Sequence, residues 1–232
     1  MKFQYRQLLS ASSILAATAF VASTQSALSS ALFTSGHGDF AVGFHEGEFE
    51  FGYHLGEDGD TAFVSENGIV RAVDDEEFEA DELIVRVTEQ FLVSSDADPS
   101  LLGGTGATPG STVFQISQLA DGISSPILGI GTEELLQPTG TIWSDVTYTL
   151  NSSSGPGLFT LLFNDGDFDF LISENQSIDT FTFPADDHNE HTWIFTEAGT
   201  YDLNFTAEAT RTVDGLAEDF RATETFTFQV VP

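Results

Sequence analysis

The stretch D-D-H-N-E-H-T-W-I-F-T-E-A-G-T-Y-D-L-N-F, Asp186 to Phe205, decides the reading of this chain. Its second half holds two short apolar-rich runs, Thr192–Phe195 and Thr200–Phe205, separated by a Gly-containing turn. Successive strand residues point to opposite faces, so Tyr201, Leu203 and Phe205 share one face and Asp202, Asn204 and Thr206 the other. The first half packs two histidines and three carboxylates into six residues, Asp186 to His191. A polar cluster at the mouth of a strand pair can be a metal site, a catalytic site, or the wet rim of a β-sandwich.

Working outward, the same pattern recurs. Glu48–His54 alternates acid and aromatic, and Glu82–Val93 is rich in β-branched residues. Further strands are expected at Ser111–Ser117, Thr141–Leu150, Leu158–Phe163, Phe168–Ile172, Thr180–Phe183 and Thr223–Val231. D-A-D-P, G-G-T-G, S-S-S-G-P-G, N-D-G-D and V-D-G punctuate them as turns. Val73–Asp81 reads as an acidic loop and Asp96–Gly110 as a Gly/Pro/Ser loop; T-E-E-L-L within Gly129–Gln137 suggests one helical turn. Many short strands at short spacing predict an all-β, antiparallel, immunoglobulin-like sandwich, with long loops or insertions in the N-terminal half and the most regular part over 141–231. Tyr201 is placed where such sandwiches use a Tyr hydroxyl to tie a corner to nearby backbone. Trp193 reads as core beside Phe195.

The chain has 232 residues, no cysteine, 22 Phe and a formal net charge of −31. Without cysteine there are no disulfides, thiolate metal sites or Cys nucleophiles. So large a negative charge excludes nucleic acid and anionic membrane surfaces as partners and favours a soluble monomer. The N-terminus runs Lys2 and Arg6, then an apolar, small-residue stretch from Leu8 to Ala22, then small-residue cleavage positions between Ser23 and Ala31. That order is a secretory signal peptide over 1–31, leaving 32–232 as a single exported β domain with no membrane span. Without Lys2 and Arg6, four arginines face 37 acids, a net charge of −33.

G-H-G-D-F (Gly36–Phe40), G-Y-H (Gly52–His54), S-S-G-P-G-L-F-T-L-L-F (Ser153–Phe163) and H-x-x-H-T-W-I-F-T-x-x-G-T-Y-D-L-N-F (His188–Phe205) occur in that order. Together they resemble the choice-of-anchor M domain, also called the actinobacterial surface-anchored protein domain, over about Gly36 to Val231. The resemblance implies an exported surface protein without established catalysis, in some cases similar to products encoded beside metal-type ABC transporters. Two departures stand out. The family's H-x-H-x-N-W has Glu190 in place of its second His and Thr192 in place of its Asn. The chain also stops at F-Q-V-V-P, where a sorting tail would follow.

Imidazole with carboxylate suits zinc, manganese and similar divalent ions. The candidate site therefore joins His37, Asp39 or His54 to His188 and His191. Three-residue spacing puts His188 and His191 on opposite faces of a regular strand, so joint ligation requires a loop. Calcium is the weaker candidate. N-D-G-D-F-D-F (Asn164–Phe170) has Phe170 where an EF-hand loop needs Gly, and fits an acidic hairpin better. Catalytic signatures are lacking: there is no G-x-S-x-G elbow, no H-E-x-x-H and no phosphate-binding Gly loop. Two readings stay open, a non-catalytic surface or secreted binding module and a divalent-metal-binding accessory of an ABC transporter. A secreted polysaccharide hydrolase ranks third.

Overall fold

The computed structural model describes residues 30–57, 60–120, 122–164 and 168–232. Residues 1–29, nearly all of the proposed signal peptide, and Asp165 and Asp167 of the N-D-G-D turn lie outside them. The elements in chain order are β1 (Ala31–His45), β2 (Glu48–Leu55), β3 (Ala62–Glu66), β4 (Ile69–Val73), β5 (Glu76–Glu79), β6 (Leu83–Val87), β7 (Glu89–Leu92), α1 (Pro99–Thr105), β8 (Thr112–Ile116), β9 (Pro126–Gly131), β10 (Thr141–Trp143) and β11 (Val146–Ser154). There follow β12 (Phe159–Asn164), β13 (Phe168–Ser173), β14 (Thr180–Phe183), β15 (His188–Glu190), β16 (Thr192–Phe195), β17 (Gly199–Val213) and β18 (Leu216–Val230). The fold is an all-β sandwich. None of its described helices is long and apolar enough to cross a membrane.

One sheet runs β14-β11-β17-β18-β6-β1-β2-β5, with β3, β4, β9, β10 and β15 branching from it; the second runs β13-β12-β16-β8-β7. Strand β1 changes partners midway. Its first residues pair with β3 and, in parallel, with β6; from Gly36 onward it pairs with β9 in parallel and from Gly38 with β2 antiparallel. The switch falls at a register shift between Phe33 and Ser35, beside Gly36 at φ 99°. A left-handed backbone there is cheap only for glycine.

This change of partners turns β1 and β2 face to face with β11, β17 and β18. Phe40 lies at the centre, its ring 4.4–5.9 Å from those of Phe51, Tyr148, Trp193, Phe205 and Phe226. Trp193 carries the core into the second sheet, and its indole N–H donates to Leu128 O at 2.8 Å. That bond satisfies a buried donor and fixes β9 against β16. The Tyr201 hydroxyl donates to Glu197 O at 2.9 Å, the corner tie its position predicted.

Three hairpins use two-residue turns with both residues at positive φ: Glu46-Gly47, Asn67-Gly68 and Asp214-Gly215. This is the type I′ geometry whose twist matches the strands it joins. The last of them carries the fifteen-residue β17–β18 pairing, the longest ladder here.

Four local expectations are corrected. Glu82–Val93 breaks at Thr88 into β6, in the first sheet, and β7, in the second. Val73–Asp81 contains β5, an acidic edge strand on β2; carboxylates on an edge hide the strand from a hydrophobicity reading while blocking further pairing. Asp96–Gly110 contains α1: Asp98 caps it through Ser100 N at 2.8 Å, Pro99 fills the first position, and Gly106 closes it at φ 72°. T-E-E-L-L forms a turn after β9 instead of a helical turn, anchored by fully buried Leu135.

Phe40→Ala is expected to destabilise the protein by about 3–5 kcal/mol in chemical denaturation, because the lost contacts span both sheets. Ile69→Ala, at a side chain 73% exposed, should change it by no more than about 0.5 kcal/mol.

Candidate metal centre

The site lies on the face of β1 that looks away from Phe40. Alternation sends His37, Asp39, Ala41, Gly43 and His45 outward and Phe40, Val42 and Phe44 inward. Beside β1 runs β9, with Gly129 opposite Asp39 and Gly131 opposite Ala41. Beside β9 runs β15, with Glu190 opposite Gly129 and His188 opposite Gly131. Strands two apart are separated by nearly 10 Å, so side chains on β1 and β15 would ordinarily not meet. Here they do, because the intervening strand carries glycine. A methyl group on Gly129 would collide with the Asp39 carboxylate and lie 2.8 Å from His188 Nε2.

The β9–β15 end is tied down by Thr132. Its hydroxyl donates to Pro184 O at 2.7 Å, its N–H to Asp187 O at 3.0 Å, and its Oγ1 accepts from Asp187 N at 3.1 Å. Asp187 in turn accepts from His188 N at 2.9 Å. The start of β15 is therefore held before any ligand is considered.

Four donor groups close a ring above Gly129. His37 Nε2 lies 2.8 Å from Glu190 Oε1, which lies 3.7 Å from His188 Nε2. His188 Nε2 lies 3.0 Å from Asp39 Oδ1, and Asp39 Oδ2 lies 3.9 Å from His37 Nε2. The two imidazoles meet edge to face at 77°. Asp39 is 1% exposed, yet neither of its oxygens accepts a hydrogen bond of good geometry, and His37 and His188 Nε2 likewise make none. The polar atoms are close to one another but poorly aimed at one another. Groups aimed at a shared point between them would be arranged this way. One donor atom each from His37, His188 and Glu190 lies within 4.8 Å of the others, comparable to the spacing of about 3.4 Å between ligands about 2.0–2.1 Å from a tetrahedral ion; Asp39 meets His188 through Oδ1 and His37 through Oδ2.

The electrostatics agree. Asp39 beside His188 pushes that imidazole up to about 9. Contact with Glu190 raises His37 against the opposing effect of burial. Burial, with the Asp39 charge nearby, pushes the Glu133 carboxyl up to about 7. In the metal-free protein, protons on the imidazoles balance the clustered carboxylates, and a divalent ion would displace them.

The expected ligand set is partly reassembled. His37, Asp39 and His188 come together, with Glu190 as fourth member. That glutamate stands at the position where the resemblance would have a second histidine. His191 does not join them. It follows β15, and its ring is 2% exposed between Phe163 and Phe183, with Nδ1 bonded to Asn189 O at 2.7 Å. His188 and Glu190, two apart, share a face, whereas His188 and His191, three apart, do not. His54 pairs in register with Asp39, but its ring turns to Glu134 at 3.0 Å, Glu57 at 3.3 Å and Asp75 at 2.9 Å. Contact with Glu134 holds it up at about 9, and Glu134 is correspondingly held down at about 2. Glu133, Glu134 and the glycines of β9 carried no signal on their own in the sequence, because their role depends on strand register.

Burial holds His191 down at about 4. Its neutral form is favoured in the folded state, so this contribution is complete above about pH 6.5 and is lost as pH falls toward about 4. The loss is on the order of 3 kcal/mol. Unfolding free energies measured between pH 7 and pH 4 in chelator should fall less in His191→Leu than in the unaltered protein. Parallel curves would contradict this assignment.

Comparison with known proteins finds no matching family model, no similar characterised protein and no similar solved structure.

Proposed function

We propose that this is an exported, non-catalytic binding protein whose ligand is a divalent transition-metal ion, zinc or manganese, held by His37, Asp39, His188 and Glu190. The observation that carries the reading is the closed ring of two imidazoles and two carboxylates around a buried Asp39 with no well-directed hydrogen bond. An uncompensated buried carboxylate costs several kcal/mol, and a cation offsets that cost more completely than two poorly aimed imidazoles. Two nitrogen donors favour zinc or manganese over calcium, which takes oxygen ligands.

Export is supported by the basic, then apolar, then small-residue order of the N-terminus. The resemblance to choice-of-anchor M domains supports a cell-surface or extracellular setting and a role as an accessory to a metal-type ABC transporter. Both tryptophans are buried, Trp143 at 5% exposure and Trp193 at 0%, so neither offers the stacking platform that a polysaccharide hydrolase would use.

Isothermal titration with Zn²⁺ and Mn²⁺ in 0.5 M NaCl, which screens the diffuse acidic field, should give one tight site per chain with proton release. His188→Ala and His37→Ala should each weaken it at least tenfold, about 1.4 kcal/mol or more. Gly129→Ala should weaken it too, because the added methyl group occupies the space between Asp39 and His188. Binding that is multi-site, salt-sensitive and indifferent to all three changes would reject the metal reading. It would leave a surface interaction module whose acidic coat binds cations loosely.

A further inference from the structure

The outward face of β1 does not end at Asp39. Farther along it, His45 projects beside Glu50 of β2 and Glu77 of β5, and one donor atom from each lies within 4.8 Å of the others. Glu134 reaches in from the turn after β9, its Oε2 3.0 Å from His45 Nε2. The second oxygen of the same carboxylate contacts His54 Nδ1 at 3.0 Å.

Three further observations make this a built feature instead of a chance acidic patch. A cavity of about 170 Å³ opens at the cluster, with Glu50, Glu77 and Glu134 in its wall. Its floor is Ala41, Gly43 and Gly52, residues with little or no side chain; a methyl group on Gly43 would stand 2.5 Å from Glu134 Oε2 and 2.7 Å from His45 Nε2. His54, 5% exposed, also lines the cavity, and its Nδ1 makes no hydrogen bond of good geometry.

We propose that His45, Glu50, Glu77 and Glu134 form a second divalent-cation site, open to solvent and built for a harder ion than the first. One imidazole with three carboxylates is an oxygen-rich set, suited to Mn²⁺ with water completing its shell. The half-exposed ligands and the cavity suit a partly hydrated ion, whereas the ring around buried Asp39 is tighter, with His188 and Glu190 each 31% exposed. The two sites share a support: Glu133 and Glu134 are neighbours on one turn, Glu133 lying 3.9 Å from His188 and Glu134 touching His45 and His54. The second site does not depend on the first being occupied, and the two can be tested separately.

The test is Mn²⁺ titration of the chain in 0.5 M NaCl, with free ion followed by its EPR signal. The protein with both His37→Ala and His188→Ala should keep one discrete Mn²⁺ site. Adding His45→Ala and Glu77→Gln to it should weaken that site at least tenfold. In the otherwise unaltered protein, His45→Ala with Glu77→Gln should lower the stoichiometry by one; both side chains are substantially exposed, so the fold is expected to tolerate the change. Loss of all discrete binding in the His37/His188 variant, with its circular dichroism unchanged, would overturn the second site alone. Residual binding indifferent to His45 and Glu77 would overturn it as well. A single site lost with His45 and Glu77 but not with His37 and His188 would instead uphold the second site and reject the first.

Discussion

Everything in this molecule is hung on the alternation of one strand. Phe40 faces inward, and the residues flanking it on β1 face out, so a single register choice sets both the core and the polar face. Phe40 touches rings from both sheets, and slipping β1 by one residue would place Asp39 in that aromatic centre and Phe40 under the carboxylates. The cost of burying a charge among five aromatic rings far exceeds the gain from any alternative pairing. The core therefore enforces the geometry of a site with which it shares no side chain.

Glycine is the second constraint. At Gly129, Gly131 and Gly43 the absence of a side chain lets carboxylates and imidazoles from neighbouring strands meet over the sheet. Glycine inside a strand lowers stability, since it packs nothing and loses more freedom on folding. Three such residues, with His188 and His45 among their neighbours, mean that the sheet gives up local stability where the polar groups converge. The chain's overall charge sharpens this. With 37 acids, a protein gains nothing from burying one more carboxylate unless a cation compensates it.

Much of this could be read directly from residues. The turn at V-D-G, the alternating face of Tyr201, Leu203 and Phe205, and the core position of Trp193 each follow from local chemistry. The separation of His188 from His191 also follows from strand alternation, although His191 itself lies in the one-residue break between β15 and β16. What misled was composition. Acid-rich β5 looked like a loop because edge strands need no apolar face, and α1 was hidden among glycines although its Asp-Pro start was a capping signal. Glu190 and Glu134 were passed over as ligands because in so acidic a chain nothing local distinguishes one carboxylate from another, and His45 because its partners come from other strands and a distant turn.

The amino-acid order thus determined the all-β class, the turns, the inward and outward faces of each strand and three members of the first site, because those depend on side-chain period and backbone preference within a few residues. Which carboxylates serve which histidines was decided only in three dimensions. The parallel pairing of β1 with β9, the placement of β15 one strand farther out and the turn that divides Glu133 from Glu134 bring together residues up to about 150 positions apart. No local rule encodes those meetings; they follow from how the sheets close around Phe40.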